Sequence, residues 1–79
     1  MSVSVLLFAA ARRWTGRGAL SLEAVPGMTV RGLLADPSLA ALGPHLSSLR
    51  FAVNEEFAPL DAAVKDGDTV AVLPPVSGG

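Results

Sequence analysis

Apolar residues alternate at both ends of this chain, and that period of two limits the fold more than any other feature. Near the start, Val3, Val5 and Leu7 alternate with Ser4, Leu6 and Phe8; near the end, Val70 and Val72 alternate with Thr69, Ala71 and Leu73. Successive side chains of a strand point to opposite faces, so each stretch predicts a strand. The second face is partly apolar as well, where a solvated sheet would normally carry polar residues. These strands therefore have work for both faces.

Between them the punctuation is dense. Ala9 to Trp14 predicts a helical turn before the loop Thr15-Gly16-Arg17-Gly18. Ala19 to Val25 follows as a second strand with Leu20 and Leu22 on one face, so the first two strands form a hairpin. Pro26-Gly27 is a turn pair. Thr29 is a good N-cap for a helix with Val30, Leu33 and Leu34 on one side. Asp36-Pro37 interrupts that helix, because a proline disfavours helical backbone in the residue before it. The same pair can restart one, with Asp36 as N-cap and Pro37 at the first helical position. Leu39 and Leu42 then face the core, and Gly43-Pro44 is expected to end the segment.

Leu49, Phe51 and Val53 alternate with Arg50, Ala52 and Asn54, the pattern of a half-buried strand. Asn54-Glu55-Glu56 reads as a turn into a short strand around Phe57, and Asp66-Gly67-Asp68 as a tight turn before the last strand. The order β-β-α-β-β-β within 79 residues predicts an α+β fold: one mixed sheet packed on one main helix. Residues 1–79 make a single domain, with 74–79 as an extended tail. A hydrophobic content of 51% is enough for one core and argues against disorder.

Several function classes lack their parts. A net charge of −1 gives no basic footprint for nucleic acid. Trp14, Phe8, Phe51 and Phe57 are too scattered for a base-stacking platform and are expected mostly in the core. No cysteine is present, which removes disulfides, thiolate metal sites and a cysteine nucleophile. No apolar run approaches the roughly 18 residues of a membrane span. Val3 to Ala11 is apolar, but its arginines follow the run instead of preceding it, so a cytoplasmic protein is expected over a secreted one.

Gly16-Arg17-Gly18 has no third glycine at phosphate-loop spacing, since position 21 is Ser21, and reads as a hairpin loop. Asp66-Gly67-Asp68 lacks the repeated ligands and closing Glu of a calcium loop. His45, the only histidine, has no sequence partner for acid–base work. Arg12, Arg13 and Arg17 cluster near one end of the hairpin, either as a solvated surface or as a docking element.

The remaining candidate is the end itself, Pro74-Pro75-Val76-Ser77-Gly78-Gly79. Two prolines favour an extended exit, and from Pro75 to Gly79 an extended chain spans roughly 16–18 Å. Two glycines leave the terminal carboxylate open to approach from every side. That carboxylate is ionised at neutral pH and is a poor electrophile until an ATP-using partner activates it. With no cysteine to bear a persulfide, sulfur carried by this chain would sit on the Gly79 carbonyl as a thiocarboxylate.

The chain resembles the small subunit of molybdopterin synthase, a ubiquitin-like sulfur carrier, over nearly its whole length. The matching residues are Phe8-Ala9-Ala10-Ala11-Arg12 followed by Gly16, then Val53-Asn54, Asp66-Gly67-Asp68-Thr69-Val70-Ala71, and the Pro-Pro-Val-Ser-Gly-Gly end. The last is the specific part, since a bare Gly-Gly also ends thiamine-pathway carriers and ubiquitin-like modifiers. The resemblance implies a β-grasp fold whose first and last strands are neighbours. Val3, Val5, Leu7, Val70 and Val72 then face the helix, which leaves Leu6 and Phe8 beside Ala71 and Leu73 on the opposite face. Leu6, Phe8 and Leu73 are the expected partner-binding residues, with Phe8 and Leu73 as anchors.

It also implies a cycle. An E1-like enzyme adenylates Gly79 with ATP, a sulfur donor converts the adenylate to a thiocarboxylate, and the tail enters the large synthase subunit. There sulfur passes to a cyclic pyranopterin precursor, building the dithiolene of molybdopterin. Gly79 is the reacting group, Gly78 and Ser77 thread the slot, and Pro74, Pro75 and Val76 form the exit. The chain is then not an enzyme on its own and binds no cofactor, metal, nucleic acid or membrane. A carrier for thiamine or cysteine synthesis, or a non-covalent ubiquitin-like binding module, are the alternatives.

Overall fold

The two alternating stretches become neighbours in space. In the computed structural model, which describes residues 1–74, β1 (Ser2–Leu7) and β5 (Thr69–Leu73) pair in parallel within a five-stranded sheet. The sheet order is β2-β1-β5-β3-β4, with β2 (Ala19–Glu23), β3 (Arg50–Val53) and β4 (Glu56–Phe57) in antiparallel pairings. The register sets Val5 beside Val70 and Leu7 beside Val72. These four and Val3 are buried and form the sheet's contribution to the core, as strand parity predicts.

The helical layer closes the other side of that core with Ala11, Val30, Leu33, Leu34, Leu39 and Leu42. It is divided, with a break at the expected Asp36-Pro37 step. A short helix α1 (Ala9–Thr15) joins β1 to β2, and α2 (Val30–Leu34) makes little more than one turn. Both expected caps form. Thr29 Oγ1 accepts from the Gly32 N–H at 3.1 Å, and the Asp36 carboxylate accepts from the Ser38 N–H at 3.0 Å. Pro37 then opens a 3-10 segment, Pro37–Ser48, that buries Leu39 and Leu42.

That segment corrects one expectation: it runs through Gly43-Pro44 instead of stopping there. A 3-10 stretch is a series of i→i+3 turns, and proline, with φ already near −65°, fits as the opening residue of a further turn. Strand β2 also ends at Glu23, two residues before the expected Val25. A third correction concerns the aromatics. Only Phe51 is core; Phe8, Trp14 and Phe57 are exposed.

Two connections shape the ends of the sheet. At the end where β1 finishes, Ala9 has φ 50°, a left-handed conformation that costs an alanine roughly 1–2 kcal/mol. It turns the chain from β1 into α1. That helix closes at Gly16 (φ 75°), whose N–H donates to the Arg12 carbonyl at 2.9 Å. Gly16 is thus a helix cap. Trp14 of α1 stacks on His45 of the 3-10 segment, with ring centroids 3.5 Å apart and planes within 9°.

At the opposite end, Asn54 (φ 51°) and Glu55 (φ 73°) form the β3–β4 turn. The Asn54 amide donates to Asp68 Oδ1 at 2.9 Å, and its Oδ1 accepts from the Thr69 N–H at 2.9 Å. Asp68 Oδ2 accepts from the Lys65 N–H at 2.8 Å. The Asn54 bond first, then the Lys65 N–H, hold the Asp68 carboxyl below its ordinary 3.8. The Ser38 hydroxyl and N–H likewise lower Asp36.

A carboxyl depressed in the folded state stabilises above its unfolded pKa, and that contribution is lost as pH falls through the folded value. The melting temperature should therefore drop on acidification below the ordinary 3.8 of these carboxyls. In a pH series of thermal melts, Asn54→Ala is expected to weaken the acid dependence as well as lower the neutral-pH midpoint. An unchanged acid limb would contradict the role given to Asn54.

Candidate functional site

The outward sheet face is assembled by register. Leu6 pairs with Ala71, Ala71 with Ala52, and Ala52 with Phe57, so an apolar row crosses β1, β5, β3 and β4. One step nearer the sheet's end, Phe8 follows β1 and donates its N–H to the Val72 carbonyl at 3.3 Å, while Leu73 pairs with Arg50. Leu6, Phe8, Ala52, Phe57, Ala71 and Leu73 line one open groove on this face, and Asn54, Glu55 and Thr69 border the end away from the tail. Phe8 is 44% and Phe57 72% exposed. Elsewhere the same face is small or polar: Ser4 on the row below, and Ala19, Ser21 and Glu23 along β2.

The structure thus brings together Leu6, Phe8 and Leu73, the residues expected from parity, and leaves Phe8 outside the core. Two members were missed. Ala52 is outward, as the alternation of β3 places it, yet only 6% exposed, because Ala71 and Phe57 flank it across the sheet. Phe57 belongs to a two-residue strand whose face is set only by its pairing with Ala52. An apolar cluster on an otherwise solvated sheet face makes it the candidate docking surface.

The groove lies where the chain leaves the sheet. Pro74 follows β5 directly, beside the Leu73–Arg50 pair. The other tail positions singled out from the sequence, Pro75, Val76, Ser77, Gly78 and Gly79, lie outside the described residues. Among the described residues no polar or charged residue is buried. No group of three His, Cys, Asp or Glu is placed to hold a metal ion there. His45 faces Trp14, with no nucleophile in that pairing. No described helix is long and apolar enough to cross a membrane.

The model of the ThiS family matches residues 5–79. The chain belongs to the ThiS family. This ThiS-family chain is 40% identical over 85 residues to the molybdopterin synthase sulfur carrier subunit of Chlamydomonas reinhardtii, and the alignment covers 100% of both. Its fold superposes on the crystal structure of SAMP1 from Haloferax volcanii with a TM-score of 0.87 at 27% identity, again covering 100% of both chains. A chain from the complex of subunits 1 and 2 of the molybdopterin-converting factor of Helicobacter pylori 26695 matches with a TM-score of 0.68 at 26% identity, covering 100% of each. The architecture is the ubiquitin-like β-grasp expected from the resemblance.

Proposed function

We propose that this chain is the sulfur carrier of molybdenum cofactor biosynthesis, the small subunit of molybdopterin synthase. The observation that carries this reading is the end-to-end match with a molybdopterin synthase sulfur carrier subunit. The Pro-Pro-Val-Ser-Gly-Gly end lies within the residues matched by the family model. The chemistry follows from the tail. An E1-like enzyme transfers AMP from ATP to the Gly79 carboxylate, releasing pyrophosphate. A sulfur donor then replaces AMP, leaving a thiocarboxylate.

The large subunit receives the tail and supplies the side chains that pass sulfur to the pyranopterin precursor. Water supplies the oxygen that replaces the departing sulfur, returning Gly79 to a carboxylate. In this cycle the carrier contributes reach, a side-chain-free reacting end and a docking face, and the activating enzyme consumes the ATP. The apolar groove supports the docking part of the reading, because it adjoins the start of the tail and so couples docking to delivery. The protein works in the cytoplasm, without a bound cofactor of its own.

Intact-mass analysis tests the first half. The full chain, incubated with its E1-like enzyme, ATP and a sulfur donor, is expected to exchange one oxygen for sulfur, localised to the C-terminal peptide. A chain left at its original mass under conditions that thiocarboxylate a known carrier would overturn the reading in favour of a non-covalent binding module.

A further inference from the structure

The net charge conceals a division along the strands. At the end of the sheet where the tail leaves, Arg12 and Arg13 lie on α1, Arg17 follows its cap, and Arg50 stands beside Leu73. All four are exposed, and they are four of the chain's six lysines and arginines. No Asp or Glu occurs from Leu7 to Leu22 or from Leu46 to Asn54. The opposite end holds Glu23, beside Ser2, Glu55 in the β3–β4 turn, and Glu56 at the start of β4. Asp66, which accepts from the Ser2 N–H at 2.7 Å, and Asp68 lie there too. These are five of the seven acidic residues, set against Lys65 and the amino terminus. Asp36 and Asp61 belong to the helical layer and its flanking loop, and Asp61 pairs with Arg31, the one ion pair among the described residues.

A six-residue strand such as β1 is roughly 20 Å long, while charges in physiological salt are screened over about 8 Å. A partner therefore meets each end as a separate field. The basic end borders the apolar groove at Phe8 and Leu73, where the tail leaves, since Arg12 is one helical turn from Phe8 and Arg50 is Leu73's cross-strand neighbour; the acidic end borders it at Glu55, away from the tail. The Arg12 side chain lies over Gly18. A Cβ added at Gly18 would meet Arg12 Cζ and Nε at 3.2 Å, so the guanidinium rests against that glycine.

We propose that the surface of the large subunit that receives this chain is acidic around the mouth of its tail channel, with carboxylates facing Arg12, Arg13, Arg17 and Arg50. This rests on the sulfur-carrier reading and adds what it lacks, the charge of the partner and the means of orientation. Charged rims contribute mainly to association rate and register. The carrier is drawn tail-first, because the reverse approach would set Glu55, Glu56 and Asp66 against the same carboxylates.

Stopped-flow association of the full chain with its own large subunit tests this, at low and physiological salt. Wild type should associate more slowly as salt rises. Arg12→Glu and Arg50→Glu should each slow association at low salt by about tenfold or more, with dissociation little changed. Lys65→Glu makes the same charge change at the far end and should stay within about twofold of wild type. Association that is insensitive to salt and to both arginine reversals, or that Lys65→Glu slows as much, would overturn the acidic mouth. If wild type fails to bind the large subunit at all, the carrier reading itself fails and the proposal with it.

Discussion

Removing Gly79, or adding one residue after it, is expected to abolish sulfur transfer while leaving the thermal midpoint within about 1–2 °C of wild type. Activation requires a free glycyl carboxylate, and delivery requires it at a fixed distance from the body. One residue changes that reach by about 3.3–3.6 Å, more than an adenylating site aligned on one carbonyl can absorb. Stability should not follow. The core among the described residues is drawn from Val3 to Val72, with nothing contributed by Pro74. Gly78→Val should likewise fold normally and transfer sulfur poorly, since its branched side chain would have to enter a slot sized for glycine. Thiocarboxylate formation and precursor conversion, measured separately, show which step each variant loses. An extended variant that still completes both would falsify the role of the terminus.

The second large effect belongs to the outward face. Phe8→Ala and Leu73→Ala are each expected to weaken binding to the large subunit by about 2–4 kcal/mol, roughly 30- to 1,000-fold. The monomer should tolerate the first change well, because Phe8 is 44% exposed and outside the buried cluster. Phe57→Ala, at the far end of the Leu6–Ala71–Ala52–Phe57 row, should weaken binding too, and at 72% exposure it should cost the fold even less. Thermal melts beside binding titrations separate docking from folding. Wild-type binding by both Phe8→Ala and Leu73→Ala, or losses that merely follow unfolding, would remove this face from the interface.

Where the sequence carried a local physical signal, it anticipated the structure. The period of two in Val3–Leu7 and Val70–Val72 assigned both strands and their buried face, and the excess of apolar residues at Leu6, Phe8, Ala71 and Leu73 located the apolar groove on the outward face. Thr29 and Asp36-Pro37 act within a few residues of themselves, so their caps could be read directly.

What failed to show was set by contacts distant in sequence or by backbone geometry. Phe57 and Trp14 look like core residues by type. Only the pairing with Ala52 places the first outward, and the second lies on His45, distant in sequence. Asn54 and Glu55 adopt left-handed backbone, and nothing in a glutamate announces that. Asn54 is stabilised there by Asp68 and Thr69, which a reading of its neighbours alone could not supply. Pro44 signals a stop for an α-helix but not for successive 3-10 turns. The division of charge between the two ends becomes visible only when the register lines up Arg50 with Leu73 and Glu23 with Ser2.

The carrier assignment is tested most directly by reconstitution with purified components. The thiocarboxylated chain, as the sole sulfur source, is mixed with the large subunit and the cyclic pyranopterin precursor, and dithiolene product is measured against thiocarboxylate consumed. The expected result is molybdopterin formation that stops when the thiocarboxylate is exhausted and is absent with the Gly79-deleted chain. No dithiolene product, with the same thiocarboxylate passing its sulfur to a thiamine- or cysteine-forming acceptor, would contradict the assignment.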